Sequence, residues 1–126
     1  MAVTPHDLVV EAKAQIKEVS TGEAQSALGQ RTVIDVREYE EFAAGHLPGA
    51  VLLPRGVLEF KIGTVAECQD KDKPYLLYCR TGGRSALAAV QLQKIGYTNV
   101  VSMAGGFETW AKEDRPADKP APVNYE

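Results

Sequence analysis

The chain has 126 residues, of which 44% are apolar and 25% charged, a composition that is ordinary for one globular domain. The formal net charge of −3 argues against a nucleic-acid partner, which would require a basic surface. No apolar run is long enough to cross a membrane and no signal-peptide pattern opens the chain, so we expect a cytoplasmic protein with no membrane partner.

The amino-terminal segment carries a helix signal. Thr4 offers a capping hydroxyl, Pro5 suits a first helical turn, and apolar residues then recur at helical spacing, which predicts a helix over residues 5–15. Residues 16–19 either continue this region or form a short edge strand. We assign residues 1–18 to an N-terminal helical extension.

Strand-like and helix-like segments alternate along the rest of the chain. The predicted strands cover residues 32–36, 50–53, 75–78 and 99–103, and the predicted helices cover residues 22–28, 38–44, 56–62, 85–95 and 107–113. This alternation predicts one α/β domain over residues 19–114, with a central, mostly parallel sheet of about five strands flanked by helices on both faces. Residues 115–126 are rich in proline and are predicted to form a flexible tail.

A cysteine stands at the end of the strand predicted over residues 75–78. It opens the segment Cys79-Arg80-Thr81-Gly82-Gly83-Arg84-Ser85, hereafter the cysteine loop, which leads into the next helix. In open α/β sheets, ligands bind at the carboxyl ends of the strands. The cysteine loop is therefore the candidate active site.

The composition of the cysteine loop favours a reactive thiolate at Cys79. The following helix aims unpaired N–H groups at the sulfur, and glycines let the backbone curl around one point. Arg80 and Arg84 add positive charge, which also favours the thiolate form. We predict Cys79 as the nucleophile. We predict that a small anionic substrate is bound by the rest of the loop: Arg80, Thr81, Gly82, Gly83, Arg84 and Ser85.

Two other interpretations concern these residues and the second cysteine. Cys79 could be an inert core thiol, but that would leave the adjacent glycines and arginines unexplained. Ser85 could cap the helix or hydrogen-bond the substrate. Cys68 lies beside acidic Glu67 and Asp70, so we expect an ordinary thiol there; the alternative is that it forms a disulfide with an oxidised Cys79. No cysteine or histidine spacing resembles a zinc site, and no metal or other cofactor is predicted.

Four segments in order resemble the single-domain rhodanese family of thiosulfate sulfurtransferases. The resemblance covers roughly residues 19–110. Its motifs are Asp35-Val36-Arg37-Glu38 with Glu41-Phe42, Gly45-His46-Leu47-Pro48-Gly49-Ala50, the cysteine loop, and Gly105-Gly106-Phe107 with Trp110.

This resemblance implies covalent sulfur transfer. Cys79 would attack the outer sulfur of thiosulfate, release sulfite and hold the sulfur as a persulfide, which cyanide, a thiol or a protein acceptor would then remove. Arg80, directly after Cys79, favours a doubly charged donor such as thiosulfate over mercaptopyruvate.

Two alternatives to this activity stay open. One is a sulfur carrier or regulatory binding module without sustained turnover. The other is a cysteine-based phosphatase or arsenate reductase. In those enzymes five residues separate the cysteine from the arginine, whereas four separate Cys79 from Arg84. The shorter loop favours sulfur over a phosphate group.

A few polar residues are supporting candidates for the site. Asp35 and Arg37 share one face at a strand end, where they form either a structural ion pair or a source of charge near Cys79. Arg55 follows a strand and could guide anions to the site. His46 lies in a glycine-rich turn and is expected to make a structural hydrogen bond rather than to act as a base.

Overall fold

The computed structural model describes residues 2–120 and contains one five-stranded sheet. All four neighbouring pairs of strands are parallel, in the order β1-β5-β4-β2-β3. The strands are β1 (Lys17–Val19), β2 (Thr32–Asp35), β3 (Val51–Leu52), β4 (Tyr75–Tyr78) and β5 (Val100–Met103). The predicted parallel α/β sheet is confirmed. The segment over residues 16–19 supplies the edge strand.

Six α-helices surround this sheet. They are α1 (Pro5–Lys13), α2 (Thr21–Ser26), α3 (Tyr39–Ala44), α4 (Leu58–Lys61), α5 (Gly83–Lys94) and α6 (Gly106–Lys112), and two short 3₁₀ turns, Ile62–Thr64 and Ala66–Cys68, follow α4. Over residues 2–120, no helix is both long and apolar enough to cross a membrane.

Alternate residues of β4 face opposite layers of helices, as expected for a strand that is buried on both sides. Tyr75 and Leu77 pack with Cys79 toward α5, in a core that also includes residues of α4. Leu76 and Tyr78 pack toward Trp110 of α6 in a second core. The central strand therefore ends between two packed layers, and this fixes where the cysteine loop begins.

Helix α5 begins two residues earlier than predicted, at Gly83 instead of Ser85. Its N-cap, Gly82, has a φ of +106°, in the left-handed region that only glycine enters at little cost. The chain can therefore turn from β4 into α5 within a few residues. This places the first turn of α5 directly over Cys79.

Helix α1 and residues 115–118 pack more closely on the domain than the sequence indicated. Helix α1 lies on α5, where Ala12 joins a small apolar cluster, and β1 begins inside the predicted extension. At the other end, the Trp110 indole N–H donates to the Pro116 carbonyl at 2.8 Å, and His46 and Asp118 exchange two backbone hydrogen bonds. Residues 115–118 thus differ from the loose tail that was predicted. The rest of that tail, from residue 121, lies outside the described residues.

A buried carboxylate joins the carboxyl ends of β2 and β4. Arg37 contacts both oxygens of Asp35, at 3.0 Å from Nε to Oδ1 and 2.8 Å from an Nη nitrogen to Oδ2, and also donates to the Gly45 carbonyl at 2.7 Å. The Tyr78 hydroxyl donates to Asp35 and accepts the Leu47 amide. Burial and the nearby Asp35 charge raise the pKa of Tyr78, so this hydroxyl stays protonated. These contacts fit the ion-pair interpretation of Asp35 and Arg37.

We expect Arg37→Met to lower the free energy of unfolding by about 3–5 kcal/mol, because it leaves the fully buried Asp35 carboxylate without its counter-charge. The matched control is Arg55→Met, which removes an arginine from a half-exposed pair with Glu59 and should cost about 0–1 kcal/mol. Urea unfolding at pH 7 measures both values. Equal losses in the two variants would contradict the structural role of the Asp35 network.

Candidate active site

The sulfur of Cys79 lies beneath the start of α5 and is almost fully buried. The side chain is 1% exposed. Its Sγ accepts the amide N–H of Gly82 at 3.1 Å and that of Ser85 at 3.4 Å. Both donors are unpaired groups of the first helical turn, and the helix dipole adds partial positive charge there. This arrangement stabilises negative charge on one sulfur atom.

The start of α6 clamps the backbone of the cysteine loop from the other side. The amides of Phe107 and Glu108 donate to the carbonyls of Cys79 and Arg80 at 2.8 and 3.0 Å. Gly106 has a φ of +62°, and a Cβ placed on it would overlap the Arg80 carbonyl and lie 2.6 Å from the Thr81 nitrogen. Only glycine permits this approach. The motif Gly105-Gly106-Phe107 contributes to the family resemblance, but the sequence did not predict this contact of Gly106 with the loop.

The two arginines of the cysteine loop are each paired with a carboxylate. Arg84 forms a bidentate ion pair with Glu41 of α3, and both N···O distances are 2.9 Å. The hydrogen bond from Arg84 lowers the pKa of Glu41 to about 2. Arg80 is 69% exposed and approaches Glu108 only loosely, at 3.5 Å. The positive charge expected from the two arginines near Cys79 is therefore largely balanced by carboxylates. Of the two guanidinium groups, that of Arg80 has the weaker contact with its carboxylate.

A pocket of about 320 Å³ adjoins the cysteine loop between α3 and α6. The lining residues combine two opposite pairs of charges with a small apolar wall, and they are Arg37, Glu41, Ala44, Arg80, Phe107 and Glu108. The guanidinium of Arg37 lies 4.5 Å from the centre of the Phe107 ring. A small polar molecule can thus reach the edge of the loop.

Ser85 supports the loop from within the protein. It is the third residue of α5, so it is not the helix cap. Its Oγ donates to the Gly82 carbonyl at 3.3 Å and lies 2.8 Å from the Ser102 Oγ on β5. Both serines are fully buried. Their contacts hold the turn at Gly82, whereas the side chain of Thr81 is exposed.

Two of the other candidates lie in local contacts away from the pocket lining. Arg55 pairs with Glu59 one turn along, at 3.0 Å. His46 stacks on the Phe42 ring, and its Nδ1 lies 3.0 Å from the Phe42 carbonyl, in agreement with the structural hydrogen bond expected for it.

Cys68 is too far from Cys79 for a disulfide. It is buried near Tyr75 and Tyr97, at the amino end of β4, while Cys79 follows the carboxyl end of the same strand. A four-residue strand separates the two ends by roughly 13 Å, whereas the Cα atoms of a disulfide lie within about 7 Å. Burial, with a smaller effect of Glu67, raises the pKa of Cys68 to about 11, so it is an ordinary protonated thiol. These positions favour the ordinary thiol over the disulfide alternative.

The fold and the site together define a class of protein. Residues 20–113 match the family model of the Rhodanese-like domain. The chain therefore belongs to the rhodanese-like domain family, as the sequence motifs indicated.

Individual relatives agree with this assignment. The Bacillus subtilis protein YtwF is 38% identical over 105 residues, covering 81% of this chain and 97% of YtwF. The human single-domain sulfurtransferase TSTD1 has a TM-score of 0.68 at 30% identity, covering 76% of this chain and 96% of its own. A Rhodopseudomonas palustris structure described as a possible tyrosine phosphatase has a TM-score of 0.85 at 30% identity, covering 94% and 96%.

The relatives named as sulfurtransferases, YtwF (putatively) and TSTD1, support sulfur transfer as the general chemistry of the domain. The chain spans about a fifth of the length of the MoeZ proteins from two strains of Mycobacterium tuberculosis, which are 37% identical over 84 residues.

We expect Gly106→Ala to displace the cysteine loop, because its methyl group would collide with the backbone of Arg80 and Thr81. Alkylation of Cys79 by iodoacetamide should then change in rate by at least about tenfold, and unfolding should occur at lower urea concentration. The matched control is Gly49→Ala, which also has positive φ, at +75°, but has open space around it. It should cost only about 1–2 kcal/mol of strain and leave the alkylation rate unchanged.

The Arg84–Glu41 pair should make stability depend on pH in a defined window. The folded-state pKa of Glu41 is about 2, below its usual value of 4.5, so the stabilisation is complete above pH 4.5 and is lost as the pH falls toward 2. After allowance for solvent screening, Glu41→Gln should cost about 1 kcal/mol at pH 7 and only a small part of that at pH 2, where about half of the folded-state carboxyl is protonated. Urea unfolding across this range measures the difference. Glu40→Gln, at an exposed neighbour, is the control, and a Glu41 effect as large at pH 2 as at pH 7 would contradict the ion pair.

Proposed function

We propose that the protein is a cytoplasmic thiosulfate sulfurtransferase that moves a sulfane sulfur through a persulfide on Cys79. The observation that carries this proposal is the pair of amide donors at 3.1 and 3.4 Å from the Cys79 sulfur, at the start of α5. A neutral, buried thiol would not need two N–H donors. A thiolate and a persulfide do, because both carry negative charge in a buried place.

In the first half-reaction the Cys79 thiolate attacks the outer sulfur of thiosulfate. A sulfur–sulfur bond forms between Cys79 and the donor while the sulfur–sulfur bond of thiosulfate breaks, and sulfite leaves with the electron pair. The enzyme retains a persulfide anion. The reacting groups carry the same summed charge before the step, as thiolate and thiosulfate, and after it, as persulfide and sulfite. The amides of Gly82 and Ser85 face the sulfur on which this charge begins.

In the second half-reaction a nucleophile removes the outer sulfur. Cyanide attacks the terminal persulfide sulfur, the bond to Cys79 breaks, and thiocyanate leaves while the thiolate is restored. A thiolate acceptor, on a small molecule or on a protein, would react at the same atom and carry the sulfur away as its own persulfide. This two-step exchange is covalent catalysis of the ping-pong type.

Arg80 is the residue that we propose attracts the donor. Its contact with Glu108 is long and exposed, so a doubly charged anion can displace that carboxylate at little cost. Arg84 has no such freedom, because both of its terminal Nη nitrogens donate to Glu41. We therefore propose that Arg84 fixes α5 against α3 and that Arg80 collects the anion.

The same contacts weigh against phosphate or arsenate chemistry, although one similar structure is described as a possible tyrosine phosphatase. A phosphate group needs several donors and a free arginine. In the described residues the sulfur faces two amides, and the arginine at the far end of the loop is occupied by Glu41. Hydrolysis of an aryl phosphate by the wild type that is lost in Cys79→Ser would reverse this conclusion.

We expect thiosulfate to increase the intact mass of the wild-type protein by one sulfur atom. Cys79→Ser should gain nothing, because it lacks the attacking thiolate, whereas Cys68→Ser should gain the sulfur as the wild type does, since Cys68 is a remote, protonated thiol. Absence of loading in the wild type with any sulfane donor would overturn the proposed activity.

Steady-state turnover with cyanide separates an enzyme from a carrier. An enzyme forms thiocyanate through many cycles, whereas a carrier loads one sulfur per chain and then stalls. We also expect Arg80→Gln to raise the KM for thiosulfate several-fold with a smaller change in kcat. Faster turnover of mercaptopyruvate than of thiosulfate would contradict the predicted preference for a doubly charged donor.

A further inference from the structure

Helix α1 lies outside the part of the chain that matches the family model, yet it contacts the cysteine loop. A Cβ placed on Gly83 would lie 3.4 Å from Val9, so α1 crosses the first turn of α5 at close range. A Cβ placed on Gly82 would lie 4.0 Å from the Lys13 ammonium nitrogen. Because the Gly82 amide binds the Cys79 sulfur, these contacts put the Lys13 charge within about 10 Å of that sulfur.

The charge of Lys13 is held loosely, as that of Arg80 is, and unlike the doubly bonded guanidinium of Arg84. The carboxylate neighbour of Lys13, Glu18 on β1, lies 3.6 Å away, beyond hydrogen-bond distance. Within residues 2–120, the Glu18 Oε2 atom is buried and has no hydrogen-bond partner. The ammonium thus lies between a weakly engaged carboxylate and the turn at Gly82.

The sheet register places this charge beside the polar contacts that support the loop. Glu18 is the register partner of Ser102, so their side chains share one face of the sheet. Ser102 contacts Ser85, whose amide and hydroxyl bind the Cys79 sulfur and the Gly82 carbonyl. Lys13 therefore approaches the turn that these serines hold.

We infer that Lys13 is a positioning residue of the active site, which makes helix α1 part of the catalytic machinery. Its ammonium stabilises negative charge on the Cys79 sulfur from beside the turn at Gly82. This role rests on the proposed persulfide chemistry for its use, but the charge effect itself acts on the thiolate whether or not sulfur is transferred. An opposite charge at this range changes the population of an anion by a few-fold in a partly screened site.

Iodoacetamide alkylation of Cys79 at pH 7 and low salt, followed by peptide mass, tests this inference. The reagent is uncharged, so its rate reports the thiolate and not the attraction of an anion. Lys13→Met should react about two- to fivefold more slowly than the wild type, whereas Lys13→Arg should keep most of the rate. High salt should slow the wild type toward the Lys13→Met rate, because added ions screen the charge.

Lys17→Met is the matched control. It also removes one positive charge from this region, but the Lys17 charge acts on Glu23 of α2, across the sheet from α1, so it should react like the wild type. Lys13→Gln is a second neutral variant, to be used if the methionine variant does not fold.

An alkylation rate of Lys13→Met equal to that of the wild type would overturn the inference. An alkylation rate of Lys13→Arg as low as that of Lys13→Met would also overturn it, because the effect would then come from packing of the aliphatic part of the Lys13 side chain and not from its charge. Sulfur loading by thiosulfate, followed in parallel, separates the two proposals. If Lys13→Met slows alkylation but the wild type accepts no sulfur, the charge role of Lys13 is retained and the sulfurtransferase function is refuted.

Discussion

The buried carboxylate of Asp35 is the constraint around which this domain is arranged. A charge in an apolar interior is tolerated only when partners replace its lost water. Arg37 and the Tyr78 hydroxyl do so here, and each is in turn tied to the segment that follows α3, through Gly45 and Leu47. Because Tyr78 directly precedes the cysteine, the same network that satisfies the carboxylate also fixes the point at which the cysteine loop leaves the sheet.

The electrostatics of the site come mainly from the backbone. The amides at the start of α5 face the sulfur, and those at the start of α6 hold the loop carbonyls, so two helix ends converge on a few residues. The formal charges of Arg80 and Arg84 are balanced by carboxylates. A single sulfur atom suits such a site, since it needs few donors. A tetrahedral phosphate group would need more.

The sequence predicted the parallel sheet and the position of the cysteine loop, because both depend on local patterns. Buried strands appear as apolar, β-branched runs, and glycines beside a cysteine at a strand end indicate a tight turn. The sequence did not predict that Glu108 and Glu41 would form ion pairs with Arg80 and Arg84, since these glutamates lie far from the arginines in the chain. It also missed the contact of Gly106 with the loop, which depends on how closely α6 approaches. The early start of α5 followed from the left-handed conformation of Gly82, which composition alone does not specify.

Residues 115–118, which follow α6, determine where a stable fragment of this domain can end. The family match ends at residue 113, but the indole of Trp110, the largest fully buried side chain, has its only described hydrogen bond with Pro116. Asp118 then closes a two-residue bridge with His46, beside the Asp35 network. A fragment that ends at residue 113 would leave the Trp110 indole and the His46 backbone without these hydrogen-bond partners. A fragment or fusion of this domain therefore has to keep the chain through Asp118, although the match to the family model stops five residues earlier.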